Sequence, residues 1–148
     1  MRIIVTCVLT VAGLIQALVQ AHAQTMPARE AFEKYGLLGT YTIDCGQPVS
    51  AANGYIVYRA YDATRVQRDT MTSPADRMFV SIAETVTLSG LNQLTITGLA
   101  GNKPLSYTLQ IEGARQRVMQ WSEDGQPSVI NGEWLGHNYT MPWVTRCG

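Results

Sequence analysis

The chain has 148 residues, with 11 basic side chains against 11 acidic ones. That length suits one ordinary domain and is short for two. No basic stripe and no block of like charge is present, which argues against nucleic acid as a partner and against a membrane-surface helix.

Residues 1–23 read as a secretory signal peptide. Arg2 supplies the positive start, Ile3 to Val19 are almost wholly apolar, and Ala21-His22-Ala23 gives the small-x-small pattern of a cleavage site. The alternative is an uncleaved anchor. Thr6, Thr10, Gly13 and Gln16 interrupt the apolar run, however, and leave it short of the ~18 residues of a spanning helix. Cleavage after Ala23 predicts a periplasmic or secreted domain, residues 24–148, with no membrane span. Loss of Arg2 takes the basic count to one below the 11 acidic residues. Cys7 leaves with the peptide. The remaining pair, Cys45 and Cys147, is most simply a disulfide in an exported protein. A redox pair would sit close together as C-x-x-C, a spacing this pair lacks.

Pro27 to Tyr35 has helical composition: Pro27 at the start, Glu30 and Glu33 early, Lys34 late, and Gly36 as the stop. Phe32 and Tyr35 share a face, predicted to pack across one end of the domain. Beyond Gly36 the texture turns β-branched and aromatic, cut by Gly, Asn, Asp and Pro every eight to twelve residues, the pattern of an antiparallel barrel or sandwich.

Strands are predicted near 38–45, 55–61, 64–71, 78–88, 91–97, 105–111, 115–122 and 127–132, with loops at 46–53, 72–77 and 98–104. In the longest, Met78, Val80, Ile82, Val86 and Leu88 fall on one face, opposite Phe79, Ser81, Ala83, Thr85 and Thr87. Leu105, Tyr107, Leu109 and Ile111 alternate with polar residues in the same way. The Trp- and Gly-rich tail from Glu133 is expected to cover a barrel end. The economical fold is all-β: an up-and-down antiparallel barrel of about eight strands with a short N-terminal helix. Closure removes edge strands, and the interior of such a barrel can hold one small ligand. A β-sandwich is the alternative.

Leu38-Gly39-Thr40-Tyr41 lies where lipocalins and related calycins carry a Gly-x-Trp signature at the start of the first barrel strand, and it resembles that signature with Tyr41 in place of Trp. The longer stretch from Phe32 to Cys45 is similar to the opening of a group of small uncharacterised exported alphaproteobacterial proteins. Their pattern is F-x-K-x-G-L-L-G-x-W-x-x-D-C, followed by a Pro-containing loop and an Asn, matched here by Pro48 and Asn53. The resemblance implies an exported single domain and carries no activity.

Glu84 is the one charge on the apolar face of the 78–88 strand. In a regular strand it points inward and needs a partner, for which Arg59 and Arg117 are placed mid-strand. A β-bulge near Ala83-Glu84 would instead turn it out. Trp121, Trp134 and Trp143, with Tyr107 and Tyr139, form an aromatic group that suits a pocket or a core. Glu84, Arg117, Arg59, Tyr107 and Trp121 are therefore the candidate ligand-binding residues.

His137 is the one histidine outside the signal segment, and the two cysteines are committed to each other. No zinc spacing, calcium loop or G-x-S-x-G elbow appears, so neither a metal site nor a catalytic residue is assigned, and no cofactor. The sequence thus points to non-catalytic binding of a small apolar or amphipathic ligand. The alternative is a protein–protein module, an inhibitor or envelope-assembly factor, with a filled barrel and binding loops.

Overall fold

A computed structural model describes residues 23–148; the expected signal segment lies almost entirely outside the described residues. Strand β1 (Thr25–Pro27) leads into helix α1 (Ala28–Lys34) and strand β2 (Gly39–Thr42). Then come β3 (Tyr55–Ala60), β4 (Val66–Met71), β5 (Arg77–Gly90), β6 (Gln93–Ala100) and β7 (Lys103–Glu112). The chain finishes with β8 (Arg115–Glu123), β9 (Gln126–Ile130), β10 (Glu133–Trp134) and β11 (Val144–Cys147). Strands β2 to β8 follow one another around a wall, and β11 fits between β8 and β2 to close it. The result is the expected eight-stranded, all-antiparallel barrel.

The eighth stave is not the expected one. The strand predicted near 127–132 exists as β9, but it pairs with the far half of β8 and turns into β10 as a flap. The tail, expected to cover an end, supplies β11 instead. The reason lies in β8, whose first residues pair with β11 and whose last pair with β9. One strand edge is thereby divided between wall and flap.

Closure rests on short ladders, with three residue pairs joining β11 to β2. The disulfide between Cys45 and Cys147, 102 residues apart, ties the turn after β2 to β11 at this seam. For a loop of that length the chain-entropy model gives a contribution of at most ~4.7 kcal/mol. Nearby, buried Asn53 organises the loop that follows β2. Its side-chain oxygen accepts from Thr42 Oγ1 (2.7 Å) and the Asp44 amide (3.0 Å), and its nitrogen donates to the carbonyl of Asp44 (2.9 Å).

One barrel end is plugged. Ala28, Ala31 and Phe32 of α1 are buried, and the Phe32 ring lies 5.0 Å from that of Tyr58, which in turn meets Tyr41 edge-on at 5.7 Å. Gly36 stops the helix at φ 65°, a left-handed conformation that costs glycine little, and Leu37 donates back to the Phe32 carbonyl. Tyr35, expected to join Phe32 in the plug, is 38% exposed.

The long strand β5 changes phase midway. Its register with β6 runs from Ala83 opposite Gly98 to Thr85 opposite Thr97, so Glu84 is an extra, unpaired residue. Ser81 and Ala83 are buried before this bulge and Val86 after it, while Met78 and Val80 are exposed. The apolar face expected to turn inward is therefore the outer wall at Val80 and Ile82, while Met78, which the β4–β5 register skips, is exposed at the open end. Most of the interior is solid, filled by Leu94, Ile96, Leu105, Tyr107, Leu109 and Val118.

Candidate functional site

The end opposite the helix is open. There β4, β5, β8 and the β9–β10 flap surround a cavity of about 350 Å³, with Met78, Phe79, Val118, Val129, Trp134 and Met141 among its lining residues. Small-molecule sites run from ~300 to 1,000 Å³, so this one suits a compact ligand.

A second bulge helps to build it. Between Leu109–Val118 and Thr108–Gln120 the β7–β8 register skips Met119, which shifts the alternation along β8 by one. Both Val118 and Trp121 consequently face the barrel interior. Trp121 stacks on Tyr107 at 5.0 Å between centroids and meets Phe79 edge-on at 5.4 Å. Phe79 and Trp121 line the cavity, and Tyr107 is buried behind Trp121.

Arg68 lies against them. Alternation along β4 turns Val66, Arg68 and Thr70 inward, and Arg68 is only 6% exposed. Its guanidinium carbon sits 5.0 Å from the Trp121 centroid and 5.8 Å from that of Tyr107. One terminal nitrogen donates to Thr70 Oγ1 at 2.8 Å, whereas the buried Nε has no partner. Among the described residues no carboxylate forms an ion pair with it.

Magnitudes make that arrangement unusual. A desolvated cation–π contact returns ~2 kcal/mol, against a penalty of several kcal/mol for taking an ion out of water. A lysine would shed its proton in such a place; an arginine keeps its charge. The polar character extends down the barrel, where the Ser81 hydroxyl, the Tyr107 hydroxyl and Gln116 Oε1 are buried without partners. Burial pushes the Tyr107 hydroxyl well above the usual phenol range, with Tyr58 adding to the shift and Arg68 opposing it.

Of the five candidate residues, Trp121 lines the cavity and Tyr107 stacks on it from within the core. The other three lie on the outer wall. Glu84 is exposed at its bulge. Arg59 pairs outside with Asp69. Arg117 packs under the flap against Gly132. The proposed Glu84–arginine pair does not form. Arg68, overlooked in the sequence, sits in a strand with polar residues on both faces, so alternation alone gave no sign of which face turned inward. Its signal was Val66, the one large aliphatic residue of that segment, two positions before it.

His137 meets the Trp134 ring on the flap at 5.3 Å. No cluster of three metal-ligating side chains occurs among the described residues, and none of their helices is long and apolar enough to cross a membrane. Comparison with protein-family models, with curated proteins and with solved structures gives no match.

Proposed function

We propose that this protein is a non-catalytic binding protein that takes a small apolar or amphipathic molecule into the open mouth of its barrel. The observation that carries this reading is the apolar cavity of about 350 Å³ in an otherwise filled interior. Binding would gain from apolar surface removed from water, at ~25 cal/mol per Å² before the costs of association. We read the barrel as lipocalin-like, a comparison that Gly39 and the buried Tyr41 at its opening strand support. Export to an oxidising compartment, the periplasm or the cell exterior, is part of the same reading and is supported by the disulfide.

The experiment is titration with a neutral, environment-sensitive dye of the Nile red type, alongside native mass spectrometry. One saturable site is expected, and Ser128→Trp, which fills the mouth from the flap, should abolish it. Absence of saturable dye binding, together with a clean apo mass, would overturn the reading.

A further inference from the structure

We propose that the ligand is a medium-chain amphiphile with a single carboxylate headgroup, and that Arg68 holds that headgroup at the inner end of the cavity. The inference rests on the binding reading above and adds the chemistry of the ligand.

Three observations carry it. First, Arg68 lines the cavity and is nine-tenths buried, yet its Nε has no hydrogen-bond acceptor. Second, the acids nearby are occupied elsewhere. Asp69 is held outside by Arg59 and Gln67, and Glu123 at the rim lies 3.7 Å from Lys103. Third, apart from Thr70, Ser128 and the rim residue Glu123, the remaining lining is apolar or aromatic, with Phe79, Val129, Trp134 and Met141 among it. A cation at the bottom and an apolar passage above it match a molecule whose charge enters first and whose chain follows. The planar guanidinium presents a fork that fits a carboxylate with two parallel hydrogen bonds. A neutral headgroup would leave the buried charge uncompensated.

The test compares decanoate with decanol, two ligands of equal chain length that differ at the headgroup, by calorimetry on the oxidised protein. Decanoate should bind at least about tenfold more tightly, the low end for hydrogen bonds to a charged group. Arg68→Gln should bring the two ligands to within about twofold while decanol binding persists, and Arg68→Lys should keep part of the preference.

Equal binding of decanoate and decanol to the wild-type protein would overturn the headgroup assignment while leaving the cavity reading intact. Binding of neither would overturn both. A preference for decanoate undiminished in Arg68→Gln would assign the headgroup to another cation and also overturn the proposal. If neither variant folds, the wild-type comparison still decides whether a carboxylate is preferred.

Discussion

Arg68 and Asp69 are adjacent in β4 and face opposite sides of the barrel wall, so the carboxylate next to the buried guanidinium in sequence neutralises a different arginine, Arg59. A strand cannot bring two consecutive side chains to one face. The ion pair is consequently placed on the outer face, where Asp69 is itself buried against Arg59 and Gln67, and the interior retains an arginine without a countercharge.

In the empty protein the contacts of an arginine held in this way return less than its burial costs. Replacing even a buried ion pair by apolar side chains of similar volume is often neutral, or stabilising by ~1–4 kcal/mol, and an arginine without a countercharge has less to lose. Arg68→Met should therefore raise the urea midpoint of the ligand-free protein, or leave it unchanged, with the same m value. A loss of several kcal/mol would mean that the guanidinium holds the fold together through Thr70 and the aromatic rings, and that its role is structural.

The bulge in β5 depends on a glycine across the sheet. A Cβ added to Gly98 would stand 1.9 Å from the Ile82 carbonyl oxygen and 3.0 Å from the Ala83 Cα, both backbone atoms that cannot swing aside. Gly98→Ala should destabilise by roughly 1–3 kcal/mol, in the range of overpacked cores, as measured by urea unfolding. Gly101→Ala is the control for a glycine with open space around it; its φ of 60° means that strain alone is tested there. A Gly98→Ala protein as stable as the wild type would show that β5 and β6 separate readily at this point.

The barrel class, the helix with its stop at Gly36 and the disulfide were legible because each has a local cause: turn residues between alternating strands, a helical composition, a single cysteine pair. The inner and outer faces of β5 and β8 were not, since one extra residue in each, Glu84 and Met119, reverses the alternation on which such readings depend. Glu84 illustrates this directly: counted back from buried Val86 a regular strand would aim it inward, whereas counted on from buried Ser81 and Ala83 it faces out, as it does. The role of the tail was obscured for a different reason. Four residues of β11 carry too short a pattern to announce a barrel strand, and their place is set by the unpaired edges of β8 and β2. Arg68 became visible as a site residue only once three-dimensional packing put Trp121 and Tyr107 beside it.

The plugged end carries a pH signature. Burial raises the Tyr41 hydroxyl to about 12, the neighbouring Tyr58 adds to this, and Arg146 opposes it. The neutral phenol is thus favoured in the folded protein relative to the unfolded chain, whose tyrosines ionise near ~10. Between those values the native state binds the extra proton, so stability falls as pH rises. The contribution is fully present below about pH 10 and is lost as pH climbs through about 12. Solvent screening keeps the effect below the ~2–3 kcal/mol that two full pH units would give. Tyr41→Phe has no proton to lose and should lose correspondingly less stability in urea melts compared across this window. Tyr107 is shifted in the same direction and leaves a residual slope in the variant. Equal slopes in the two proteins would show that Tyr41 ionises as freely in the barrel as in the unfolded chain, and that the plug around Phe32 and Tyr58 admits solvent.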